Sequence, residues 1–144
     1  MPRQLRLGAT ENRLTQTTPS GTITYTWDAR NRLTGITGPS LTASFAYDGF
    51  GRRTQKTIDD VTTAFRYDGL DVVRESSGGS DVAYLRSLAI DEALVRTDPT
   101  ASTFLFADGL GSTVALTDAA GATATEYTYE PYGNTAVTGA VCYS

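Results

Sequence analysis

A short phrase ending in an acidic turn returns at a fixed interval along this chain, and that interval constrains the fold more than any other feature. It reads Tyr25, Thr26, Trp27, Asp28, then Phe45, Ala46, Tyr47, Asp48, Gly49, then Phe65, Arg66, Tyr67, Asp68, Gly69. Asp28, Asp48 and Asp68 stand 20 residues apart, and Asp108 follows after 40 more, two periods later. A fixed period of this size marks a repeat architecture, in which no unit buries its apolar face alone and each relies on its neighbours. Such chains serve as scaffolds or binding surfaces, and chemistry in them tends to be carried elsewhere.

The repeat reads as a β-hairpin. Ile23, Tyr25 and Trp27 alternate with threonines, as do Val61, Thr63, Phe65 and Tyr67 with their neighbours. A period of two places each set on one face of a strand. Leu41, Ala43, Phe45 and Tyr47 do the same, and Thr125, Tyr127 and Tyr129 repeat the theme near the end. Turn signals follow: Asp28 to Asn31, Asp48-Gly49 to Gly51, Asp68-Gly69 to Asp71, Asp108-Gly109 to Gly111, and Glu130-Pro131 to Gly133. An Asp side chain bonds the backbone two residues on, and a later Gly or Asn tolerates positive φ. Gly49 and Gly69 are expected to hold that conformation. Two strands of about six residues and two turns of about four fill the period. The expected fold is therefore all-β: consecutive antiparallel hairpins of about 20 residues forming a curved, open sheet.

Along the chain, residues 1–75 read as regular repeats, 76–81 as a flexible Ser/Gly loop, 82–139 as less regular repeats and 140–144 as an atypical tail. Glu11 to Thr15 echo Asn31 to Thr34 as a degraded start, and a degenerate unit lies at residues 90–96. An amphipathic helix over 82–95 is the alternative, since the apolar residues there fit either period.

Composition excludes several classes of function. The net charge is −4 and the chain has no histidine, which removes Ser-His-Asp triads, Cys-His pairs and most zinc enzymes. The single cysteine, Cys142, permits no internal disulfide. Basic residues are scattered, so no nucleic-acid partner is expected. No apolar run is long enough to span a bilayer, and residues 1–8 lack the apolar core of a signal peptide.

Tyr47, Asp48, Gly51 and Arg52, with the 20-residue period, resemble the YD repeats of the Rhs family. The second half resembles the Rhs repeat-associated core: Leu88 to Arg96, then Asp108, Gly109, Leu110, Gly111, Ser112 and Leu116 to Asp118, then Tyr127, Tyr129, Glu130, Pro131, Tyr132 and Gly133. Together these motifs cover residues 11–139. The resemblance implies a section of a hollow β-shell enclosing a C-terminal toxin, as in polymorphic toxins and insecticidal toxin complexes, or displayed outside the cell as in teneurins. Its parent would then be secreted or at the cell surface. Past Gly133 the chain departs from the family pattern, and the cleavage segment, plug and toxin are absent. The expectation is a shell fragment from a truncated, frame-interrupted or longer protein, whose partners are the rest of that shell and its cargo.

The candidate site residues are the repeated ones: Trp27, Asp28, Tyr47, Asp48, Gly49, Gly51, Tyr67, Asp68, Gly69, Asp108, Gly109, Gly111, Tyr129, Glu130, Pro131 and Gly133. Calcium would need several oxygens converging in one loop, for which Asp59-Asp60 and Asp68 with Asp71 are the best placed; turn capping is the expected role, with no cofactor. The aromatics Trp27, Tyr47, Tyr67, Phe106 and Tyr129 read as a stripe in register, either packed along the sheet or open to surface glycans. Acid pairs such as Asp91-Glu92 and Glu126 with Glu130 lack the separated environments of an enzyme, so no catalysis is expected. Exposed strand edges predict self-association.

Overall fold

The computed structural model describes residues 4–8, 11–89 and 92–139, and every regular element among them is a strand. Two compact units divide the chain, residues 1–65 and 66–144. The first holds β1 (Gln4–Leu7), β2 (Arg13–Thr18), β3 (Gly21–Trp27), β4 (Leu33–Gly38), β5 (Leu41–Tyr47), β6 (Arg53–Ile58) and the start of β7 (Val61–Asp68). The second continues with β8 (Asp71–Ser77), β9 (Ser80–Arg86), β10 (Ala93–Thr97), β11 (Ser102–Ala107), β12 (Thr113–Thr117), β13 (Thr123–Tyr129) and β14 (Thr135–Gly139). Strand order is chain order, β1 to β14, so the sheet is open and each strand neighbours the one next to it in sequence. The all-β, hairpin-by-hairpin expectation holds, with the strands where alternation placed them.

Within the first unit the alternation becomes two chemically distinct faces. Ile36 pairs with Ala43, Ala43 with Ile58, and Lys56 with Phe45 and Thr63, forming rows that run across the strands. The most covered positions are Ala43 at 5% exposure, Gln16 at 8% and Thr63, 20 residues after Ala43, at 9%. The opposite face is a threonine lawn in which Thr17 meets Thr22 at 3.2 Å and Thr57 meets Thr62 at 2.9 Å. In the second unit Leu116 is fully buried between Leu105 and Thr125, its cross-strand partners. Ala43 and Leu116 are the only buried apolar side chains among the described residues, and most other inward apolar residues are half-buried.

The connections opposite the Asp turns are mostly two residues long. Pro19 and Ser20 join β2 to β3, and Pro39 and Ser40 join β4 to β5. Successive connections pack: a Cβ built on Gly21 would lie 2.5 Å from Pro39 Cγ. Asp59 and Asp60 make the β6–β7 turn with φ of 44° and 69°, a mirror-image turn suited to sheet twist. Residues 76–81, expected as a flexible loop, belong instead to a tight hairpin in which Ser76 pairs with Asp81 and Ser77 with Ser80. Only Gly78 and Gly79 turn, at φ of 56° and 83°, and two glycines with free access to that region let the strands run to the corner. Within 82–95, residues 82–86 belong to β9 and 93–95 to β10, and no described residue there is helical. Ile90, Asp91 and residues 140–144, Cys142 among them, lie outside the described residues.

Gly49 and Gly51 separate two roles that the Asp-Gly pattern merges. Gly51 has φ of 90°, while Gly49 does not lie in the positive region and a side chain there meets nothing within 4 Å. Gly51→Ala is expected to cost about 1–3 kcal/mol, and Gly49→Ala to stay within about 0.5 kcal/mol, by urea denaturation of the two variants. Equal losses would refute the turn geometry.

Candidate functional site: the Asp turn and its aromatic latch

One five-residue turn recurs through both units. In residues 28–32 the amide of Asn31 donates to the carbonyl of Asp28 at 3.0 Å, and the amide of Asp28 to the carbonyl of Arg32 at 2.9 Å. This is a type I turn closed by a left-handed residue and a bulge, the usual solution for a three-residue hairpin loop. Asn31 takes the left-handed place at φ 60°; Gly51, Gly111, Gly121 and Gly133 take it at 90°, 84°, 81° and 87°. The register shifts between Thr26 and Trp27, Ala46 and Tyr47, and Phe106 and Ala107 mark the bulges. Gly8 to Asn12 close in the same backbone pattern with glycine in the Asp place, so the degraded start is a true copy.

The aspartate stitches the turn together. Asp28 Oδ1 accepts from the amides of Arg30 at 2.8 Å and Arg32 at 3.0 Å. Asp48 does the same with Phe50 and Arg52, both at 2.9 Å, and Asp108 with Leu110 at 2.8 Å and Ser112 at 3.0 Å. Asp118, which has no aromatic before it and escaped the sequence pattern, repeats the arrangement with Ala120 and Ala122. In the first unit the other carboxylate oxygen holds an arginine: Asp28 Oδ2 to Arg32 Nε and Asp48 Oδ2 to Arg52 Nε, each 2.7 Å. The amide and guanidinium of Arg32 hold the Asp28 carboxyl below its ordinary range. Partial burial pushes Asp48 upward, but the side chain and amide of Arg52 and the amide of Phe50 outweigh it and the result is also a lowered pKa. Asp98, in the β10–β11 connection, is held far down by the Thr100 hydroxyl and amide and by Arg96.

The aromatic before the turn solves a different problem. Ladder β4–β5 runs out at Gly35 and Ser44, leaving the Leu33 carbonyl beyond the last pair; Tyr47 reaches back and its hydroxyl donates to that carbonyl at 2.8 Å. Ladder β2–β3 runs out at Thr15 and Thr24, and the Trp27 indole N–H donates to the Arg13 carbonyl at 2.8 Å. Ladder β12–β13 runs out at Ala115 and Glu126, and the Tyr129 hydroxyl donates to the Thr113 carbonyl at 2.6 Å. Where β8–β9 ends at Arg74 and Ala83, Arg86 Nε does the same for Val72 at 3.0 Å. The latch thus needs a long side chain with a donor at its tip, and not an aromatic ring as such.

Arginine then ties one repeat to the next. Arg32 Nη1 donates to the Asp48 carbonyl at 3.1 Å while its guanidinium lies 4.8 Å from the Tyr47 ring centre. Arg30 Nη1 donates to the Gly49 carbonyl at 2.9 Å. Asn12 and Asn31 share a side-chain hydrogen bond of 3.0 Å.

The model of the RHS Repeat family matches residues 10–43, which contain the turn at 28–32 and the Trp27 latch. That match covers about a quarter of the chain. No curated protein matches its sequence. Among solved structures it is similar to a chain of TcdB2-TccC3 with Cdc42, at TM-score 0.62 and 14% identity over 95% of this chain and 10% of that one. It is also similar to a chain of TcdB2-TccC3 alone, at 0.61 and 14% over 95% and 10%. A chain of the Photorhabdus luminescens Tc holotoxin pore, with a TccC3 mutation, matches at 0.62 and 15% over 92% and 8%. This chain therefore spans about a tenth of the length of each of these, and shares their fold.

The turn-and-latch geometry accounts for most of the predicted residues, with three adjustments. Gly49 and Gly109 occupy the second turn position, outside the positive-φ region, where Pro131 also fits because that position suits its fixed φ. Asp68 and Gly69 make a different turn: β7 and β8 are separated by Gly69 and Leu70 alone, with Gly69 at φ 57°. Phe106 is out of register with the latch residues, because the residue before Asp108 is Ala107 and Phe106 matches Ala46 across the bulge. Tyr67 is half-buried at the end of β7. Glu130 accepts from Asn134 Nδ2 at 3.0 Å as a turn residue, and Asp59 accepts from the Thr42 amide at 2.8 Å. Among the described residues no three acidic side chains gather as a metal site.

Two measurements test this site. Tyr47→Phe removes one hydrogen bond and leaves the ring, and should cost about 0.5–1.5 kcal/mol in urea unfolding; no loss would remove the latch. The lowered carboxyl values of Asp28, Asp48 and Asp98 make the folded chain hold fewer protons than the unfolded one around their ordinary 3.8. Their stabilisation is therefore present above that value and is lost as pH falls through the folded pKa values. Melting temperature should fall between about pH 5 and about pH 2.5, and less steeply in the Asp48→Asn variant.

Proposed function

We propose that this chain is a wall section of an RHS shell that, with the rest of a longer protein, encloses or displays an effector, and that it performs no catalysis itself. The observation that carries this reading is the uniform use of side chains to complete backbone hydrogen bonding: the repeated acids and donors are consumed by turns and latches. A barrier needs this, because an unsatisfied carbonyl or amide is a weak point in a sheet. The likeness to chains about ten times longer, in structures of TcdB2-TccC3 and of a Tc holotoxin pore, supports the same role. Secretion or surface display of the parent belongs to this proposal.

Glycan binding draws less support. A sugar platform needs open ring faces, and cations already lie over several: Arg32 over Tyr47, Arg53 over Phe45, Lys56 over Phe65 and Arg86 over Tyr84. Self-association fits better. β1 carries Leu5 and Leu7 at 54% and 56% exposure, and β14 is exposed throughout, so each end strand offers an unpaired edge.

An antibody against the chain should detect, in the organism that encodes it, a polypeptide several times longer than 144 residues whose repeat region resists trypsin until denatured. A sole short species, monomeric and readily cleaved, would overturn the proposal. In size-exclusion chromatography the isolated chain should elute as multimers at tens of micromolar, about the range where open edges associate, with Leu5→Lys and Val137→Lys shifting it toward monomer.

A further inference from the structure

We propose that the cavity beside Ala107, in the second unit, binds an aromatic ring that carries a hydrogen-bond donor and no negative charge, such as a phenol or indole. The argument starts from the latch. Trp27, Tyr47 and Arg86 each stand 14 residues after the carbonyl they serve, on Arg13, Leu33 and Val72. The same spacing from Ala93 leads to Ala107. The backbone is equivalent there too. Ala93 opens β10 and pairs with Arg86 before a register shift, and ladder β10–β11 runs out at Val95 and Phe104. Ala93 therefore stands where Leu33 stands, but the residue that should reach back to its carbonyl ends in a methyl group.

A cavity of about 410 Å³ fills the place of the missing side chain, bounded by Ala93, Leu105, Ala107, Leu110, Thr113 and Glu92. That volume is within the range of small-molecule sites. The hollows of about 420 and 360 Å³ beside Trp27 are more open, and there the latch ring is itself part of the wall. Leu110 is 93% exposed at the tip of the Asp108 turn, an apolar surface that an entering ring would cover. Two carboxylates, Glu92 and Asp108, line the cavity with no Lys or Arg among its walls. Anionic rings are therefore disfavoured, whereas a neutral or cationic one is accepted. The ring supplies from outside what Tyr47 supplies from within: apolar bulk between the strands and a donor for the carbonyl of residue 93. The ligand is either a free aryl amine or a tyrosine side chain of a polypeptide.

The experiment titrates the full chain, observed through the methyl resonances of Ala93, Ala107 and Leu110, with four probes. Tyramine has ring, donor and positive charge; phenethylamine lacks the donor; 4-hydroxyphenylacetate reverses the charge; an acetylated Lys-Tyr-Lys amide presents the ring on a peptide. Tyramine should bind about 3–10-fold more tightly than phenethylamine, the value of one hydrogen bond, and 4-hydroxyphenylacetate most weakly. The tripeptide binding better than tyramine identifies a polypeptide source; the reverse identifies a free amine. Ala107→Tyr should fill the cavity, raise the melting temperature and abolish the tyramine response, whereas Ala107→Phe should abolish the response with a smaller gain. Equal affinities for the first three probes, or no methyl shifts with tyramine, would overturn the proposal even if neither variant folds. Tyramine binding that survives in a folded Ala107→Tyr chain would also overturn it.

Discussion

The carbonyls stranded where neighbouring hairpins part company are the liability on which this architecture depends. In a sheet with so few fully buried apolar side chains, desolvation of hydrocarbon cannot compensate for open backbone groups. Each inter-hairpin ladder stops short of the Asp turns because a bulge there adds a residue to one strand. The following strand answers with a long side chain whose polar tip closes the gap, as Trp27, Tyr47, Tyr129 and Arg86 do in turn. The residue before the turn is thus selected less for its ring than for its reach.

The aspartate and arginine complete the arrangement at two scales. Asp28 and Asp48 saturate their own turns, while Arg32 grips its own aspartate and also extends to the next turn and the next latch ring. A repeat is therefore not an independent bead. Its turn geometry is partly set by the neighbour's arginine. The second unit uses fewer of these ties: Ser112 stands where Arg32 and Arg52 stand, and Ala107 replaces the latch.

The strands were legible because alternation of Thr with aromatic or aliphatic residues is a direct image of a half-covered face. The turns were legible as turns, but not in their inner assignments. Asp-Gly invites a glycine-led corner at Gly49, whereas the left-handed residue is two places later at Gly51, since the type I geometry puts it after the turn proper. Residues 76–81 read as a flexible loop because Ser and Gly are common to flexible loops and tight hairpins, and only pairing distinguishes them. Phe106 falls out of the aromatic stripe because the bulge beside it shifts faces by one residue, which a simple period does not encode. Asp118 was read as part of the core motif and not as a turn, because neither a preceding aromatic nor an Asp-Gly pair marks it. The latch itself left only a spacing of 14, or of 16 at Tyr129, meaningful once the ladder ends are known.

The pairing of strands only with their sequence neighbours has a consequence for how such a sheet comes into being and changes. A ribosome delivering this chain releases, with every 20 residues or so, a hairpin whose partner has just emerged, so assembly can follow synthesis without waiting for distant segments. By the same token, gain or loss of one whole period in a gene leaves every remaining seam matched. Sheet length can drift by unequal recombination while the local chemistry of each seam stays intact.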